Sequence, residues 1–114
     1  MITIYGIKNC DTMKKAMKWL EDNGIEFQFH DFRKQGLDEK QLLTWEKELG
    51  WELLLNRRGM LWRKVDQKTK DAIDRDSALA LMKENPGIIK RPVLDLGTKR
   101  VVGFSADDYA ALFN

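Results

Sequence analysis

Apolar positions along this chain come in two rhythms. In "ITIYGI", residues 2–7, β-branched and aromatic side chains fall on both faces, the pattern of a buried strand. The period then changes. Met13, Ala16, Met17 and Leu20 recur at i, i+3, i+4 and i+7, one face of a helix, while Lys14, Lys15 and Lys18 lie off it. Asp11 and Thr12 are residue types that cap such a helix, and Asn23-Gly24 stops it, because glycine enters the left-handed region without a Cβ penalty. Alternation returns at Ile25, Phe27 and Phe29 in "IEFQFHDF", a second strand. Strand, helix and strand within about 30 residues predict a βαβ unit, with parallel strands and a right-handed crossover.

From Gly36 to Asn85 no segment reads as a strand. Asp38 can cap a helix through Leu42, Trp45 and Leu49. An apolar turn at Trp51, Leu54 and Leu55 breaks at Asn56 to Gly59, and "SALALMKEN" reads as a further helix, capped by Asp76 or Ser77 and closed by Pro86-Gly87. The expectation is one domain spanning 1–114 with a helical insertion over about 36–85, a stretch too small for a core of its own. "RPVLDLG" and "KRVVGF" are short strands around Gly97-Thr98, an antiparallel hairpin. "SADDYAALF" is a closing helix capped by Ser105, with Tyr109, Leu112 and Phe113 apolar. The predicted class is α/β, in the order β-α-β, helices, β-β-α, with a mixed four-stranded sheet.

Composition changes this picture little. With 114 residues, 43% hydrophobic and 33% charged, the chain suits one soluble domain with a real core. A formal net charge of +2 does not announce a nucleic-acid or membrane partner, and none is expected. No apolar run reaches membrane-spanning length, and the first residues do not read as a secretory signal. One cysteine excludes an intramolecular disulfide and fits a reducing cytoplasm.

That cysteine, Cys10, stands where the first strand ends and the helix begins. A free thiol has a pKa near ~8.5, and its thiolate is the reactive form. A helix start favours the thiolate, Lys8 and Lys14 add positive charge, and Asp11 opposes them, so the net direction is downward. The other reading is inert packing, since free cysteine is often buried. Arg57, Arg58, Arg63 and Lys64 cluster with Trp62, either as a solvated face or as a contact for an anion or a partner. His30 ends a strand without a cluster of metal-ligand partners around it, and no metal site is expected.

Three segments in order, "YGIKNCDTMKKAMKWL", "LLNRRGMLWRK" and "IIKRPVLDLG", resemble the arsenate reductase (ArsC)/Spx family, most closely its YffB-type branch. The resemblance covers almost the whole chain and implies a thioredoxin-like fold with an inserted helical region. By position it implies that Cys10 is the nucleophile, that Arg91 helps hold an anionic substrate, and that Pro92 follows a cis bond. It offers a second arginine, Arg58 in preference to Arg57. Two departures matter. Arsenate reductases carry a further arginine shortly after the hairpin, where "VVGFSADD" has none and Gly103 is nearest; Met13 stands where redox-switch members have a second cysteine.

The resemblance implies a cytoplasmic thiol-disulfide reductase. It would have no tightly bound cofactor, glutathione as co-substrate and a disulfide or oxidised acceptor as the other partner. A non-catalytic reading stays open beside it. Spx-like relatives act by contacting RNA polymerase, and here the Arg57–Lys64 stretch would be the contact surface for such a protein partner. Arsenate reduction is weakened by the missing arginine.

Overall fold

Ile2–Gly6 form the first strand, β1, and Asp11–Asp22 the first helix, α1, in a computed structural model that describes residues 2–113. The residue at the N-cap of α1 is Cys10, with extended backbone angles (φ −120°, ψ 128°), and not Asp11 or Thr12. Asn23 and Gly24 end the helix as expected: the Asn23 side chain donates to the Trp19 carbonyl at 2.8 Å, and Gly24 sits at φ 68°. The second strand, β2 (Phe27–Asp31), begins after Ile25, because the Ile25 N–H turns back to the Leu20 carbonyl at 2.9 Å. A one-turn helix, α2 (Phe32–Gln35), follows without any periodic signal. The buried Asp31 carboxylate starts it by accepting the Arg33 N–H at 2.8 Å.

The helical stretch opens with α3 (Glu39–Leu49), capped by Asp38 as expected. Three short helices, α4 (Trp51–Leu54), α5 (Met60–Arg63) and α6 (Gln67–Asp71), lead to α7 (Arg75–Glu84) and a 3-10 turn at Pro86–Ile88. The cap of α7 is Asp74 rather than Asp76 or Ser77. Its carboxylate accepts the Ser77 N–H at 2.9 Å, and the Ser77 hydroxyl accepts the Asp74 N–H at 2.9 Å, a reciprocal capping box. Helix α7 packs against α3 and α4, and Leu42, Trp45, Leu54, Ala78 and Met82 are buried.

The chain then returns to sheet. β3 (Val93–Asp95) and β4 (Arg100–Val102) form the expected hairpin, with Gly97 at φ 88° in its turn. Ser105 caps the closing helix, α8 (Ala106–Phe113), by accepting the Asp108 N–H at 3.1 Å. The sheet order is β2-β1-β3-β4. β1 runs parallel to β2 and antiparallel to β3, with Ile4 opposite Phe29 and Leu94, and β3 is antiparallel to β4.

The described residues gather into two compact units. One takes the chain up to Gln35 together with everything from Arg91 on, and the other is Gly36–Lys90. The second therefore runs past the expected boundary near 85 and holds its own set of buried side chains. In the first, Ile4 and Leu94 from the sheet, Met13, Ala16 and Leu20 from α1 and Tyr109 from α8 form one fully buried cluster. Each larger side chain of this kind contributes about 1.5–3 kcal/mol on burial. Together they fix α1 on the sheet, and with it the position of Cys10.

Candidate active site

Cys10 is half-buried at the edge of that cluster. Its carbonyl accepts the Lys14 N–H at 3.0 Å, which starts the helix, but its side chain closes no capping hydrogen bond. A neutral thiol is a weak acceptor, so the first-turn N–H groups stay available for a thiolate, which accepts far better. Burial pushes the Cys10 thiol up. The Met13 N–H, the Arg91 side chain through both hydrogen bonding and charge, and the Thr12 N–H outweigh it, holding the thiol below its ordinary value.

Arg91 comes from the segment that enters β3, and the Arg91–Pro92 peptide bond is cis, as expected. The structure thus brings Arg91 to Cys10, with Pro92 next to Arg91 in the chain. Pro92 is buried, and its carbonyl already accepts the Gly103 N–H at 2.8 Å. Gly103 has φ 84°, a left-handed conformation. Lys8 and Lys14 are exposed and are not among the groups that shift the thiol. The positive charge expected from them comes from Arg91 instead.

Arg58 belongs to the Gly36–Lys90 unit, where it is exposed and its N–H donates to the Asn56 side chain at 3.2 Å. With Glu52, Asn56, Arg57 and Lys90 it lines a groove of about 350 Å³. Arg57 is held differently: its guanidinium lies over the Trp51 and Trp62 rings at 5.6 and 5.8 Å. Cation–π contacts at exposed sites are worth about 0.5–1 kcal/mol each, so Arg57 serves packing here. The His30 ring lies 4.8 Å from that of Tyr5, a packing contact. Among the described residues no cluster of His, Cys, Asp or Glu could hold a metal ion, and no helix is long and apolar enough to cross a membrane.

Sequence reasoning missed the Met13 N–H. The signal was present, since Met13 is the third helical residue counted from a Cys10 cap, but placing the cap at Asp11 or Thr12 shifts that count.

The chain thus joins a thioredoxin-like sheet to a half-buried thiol at a helix start with an arginine acting on it. This chain belongs to the ArsC family, whose profile matches residues 5–112. It is 45% identical to the solved YffB protein over 100% of both chains, with a TM-score of 0.95. It is 50% identical to an arsenate reductase (ArsC) related protein from Brucella melitensis over 99% of this chain and 94% of that one, with a TM-score of 0.82. The global transcriptional regulator Spx of Enterococcus faecalis is 27% identical over 95% of this chain and 83% of its own length.

Proposed function

We propose that this protein is a cytoplasmic thiol-disulfide reductase that works through Cys10 alone and takes its electrons from glutathione. The observation that carries the reading is the Cys10 thiol, half-buried at an uncapped helix start and lowered by Arg91 and two backbone N–H groups. The thiolate attacks the glutathione sulfur of a mixed disulfide, forms a Cys10–glutathione disulfide and releases the substrate as a thiolate that takes up a proton. No second cysteine can resolve that bond internally. A second glutathione thiolate attacks the bound glutathione sulfur, giving oxidised glutathione and the Cys10 thiolate again. In sum, one mixed disulfide and one glutathione become one free thiol and one oxidised glutathione. Arg91 orients a carboxylate of the incoming thiol, and Arg58 is the second arginine of this reading.

The test is turnover of a small glutathione mixed disulfide by the pure protein, against Cys10→Ser. A rate no higher than glutathione alone would sink the proposal. The kinship with Spx regulators favours a second reading, a regulatory module whose Arg57–Lys64 stretch, with its four basic side chains exposed, contacts RNA polymerase. Co-elution of the pure protein with polymerase, lost on reversing the charges of Arg58 and Arg63, distinguishes it.

A further inference from the structure

Glycine at position 6 has no conformational reason to be there. Its backbone is not among those with positive φ, and it is the last residue of β1, paired opposite Asp31 of β2. The reason is space. A Cβ at Gly6 would collide with Met13 Sδ and stand 2.8 Å from Met13 Cε and 3.1 Å from Cγ. Three successive atoms of that side chain are in the way, not only its tip. Met13 is also 0% exposed within the cluster of Ile4, Leu94 and Tyr109, so it has no open side to retreat to.

Met13 therefore makes two contacts that depend on one another. Its side chain beds into the hollow left by Gly6, and its N–H, in the first turn of α1, faces Cys10. We propose that Gly6 is a positioning residue for the Cys10 thiolate: by leaving room for Met13 against β1, it seats the first turn of α1 so that the Met13 N–H points at the sulfur. The inference rests on the reading of Cys10 as the working thiolate. Arg91 is the charged group that acts on the sulfur; Lys8, Asp11 and Lys14, neighbours of Cys10 in sequence, are exposed.

The experiment is the pH profile of Cys10 alkylation by iodoacetamide, with melting temperatures, in the native protein, Gly6→Ala, Met13→Ala and the double variant. A methyl at position 6 pushes the Met13 turn outward, so the thiol keeps its burial and loses a donor, and its midpoint moves up. Each unit of upward movement costs about tenfold in thiolate below the midpoint and returns about threefold in intrinsic nucleophilicity, a net loss near neutral pH of about threefold. Gly6→Ala should therefore alkylate more slowly than the native protein near neutral pH. Shortening Met13 makes room for the methyl, so the double variant should return toward the native midpoint. A lower melting temperature with an unchanged midpoint in Gly6→Ala, or a double variant that stays displaced, overturns the proposal. If Gly6→Ala does not fold, the double variant is compared with Met13→Ala: a midpoint nearer the native one supports the proposal, and equal midpoints overturn it. A native midpoint no lower than that of free cysteine defeats the reading of Cys10 itself, whatever the variants do.

Discussion

Gly103→Arg supplies, at the nearest position, the arginine that the resemblance to arsenate reductases implies after the hairpin, and the structure says what this costs. Gly103 stands at φ 84° just beyond β4, with its N–H donating to the Pro92 carbonyl at 2.8 Å. A side chain in a left-handed backbone conformation costs about 1–2 kcal/mol, because its Cβ crowds the following carbonyl. The loss of glycine's extra freedom in the unfolded chain returns about 0.4–1 kcal/mol. The net destabilisation is about 1 kcal/mol, or about 4 °C in Tm for a domain of this size. The strain arises at Cβ and not at the guanidinium, so Gly103→Ala should fall by the same amount. Gly103→Asn should fall by less, since asparagine tolerates this region best after glycine. The assay is thermal unfolding of the three variants, with arsenate reduction by glutathione measured on the arginine variant. We expect the ladder Asn above Ala and Arg, and no arsenate turnover, because relieving the strain shifts the Gly103–Pro92 bond beside Arg91 and moves any anion site there. An arginine variant as stable as the native protein would refute the backbone argument. One that reduced arsenate would refute the expectation that the Gly103 backbone leaves no working anion site there.

Other perturbations follow from the same geometry. Arg91→Gln should raise the Cys10 midpoint and slow alkylation near neutral pH, with Arg91→Lys restoring part of the rate because the charge remains while the fork of donors is lost; an unchanged pH profile would separate Arg91 from the thiolate. Because the folded thiol ionises at lower pH than the unfolded one, its contribution to stability is absent well below both values, grows as pH rises between them and is complete above about 8.5. The native protein should therefore gain on Cys10→Ser from neutral to mildly alkaline pH in urea unfolding, and a difference that shrinks with pH would contradict the sign. Tyr109 is fully buried and its hydroxyl has no hydrogen-bond partner among the described residues, while its ring lies edge-on to Phe104 at 4.7 Å and Trp19 at 5.6 Å. Tyr109→Phe keeps the ring contacts and removes a hydroxyl whose burial costs about 1–3 kcal/mol, so urea unfolding should show it at least as stable as the native protein, with a widening advantage above about pH 10, where burial resists ionisation of the native phenol.

How much of this was legible in the sequence depends on what decided each feature. The βαβ start, the hairpin around Gly97 and the closing helix were readable because apolar period and turn residues agree there, and the structure follows them. The short helices α2, α5 and α6 were not, since a single turn has no period to detect, and what starts α2 is a buried carboxylate. The start of α7 was misplaced for a similar reason: Asp74 forms its capping box, yet Asp76 and Ser77 are equally good caps by type. The Cys10 region failed in a more informative way. Asp11 is a far better cap than cysteine, so rules of local stability place the helix start at the wrong residue. A helix that begins at a poor capping residue while a good one stands next to it breaks the local rule, and such conflicts between local rule and structure gather at functional sites. Here the first-turn N–H groups act on a sulfur that Arg91 also reaches, and the donor nearest in effect belongs to the residue for which Gly6 gives up its side chain. The misplaced cap and the unexplained strand glycine are thus two traces of one arrangement, the seating of α1 against Cys10.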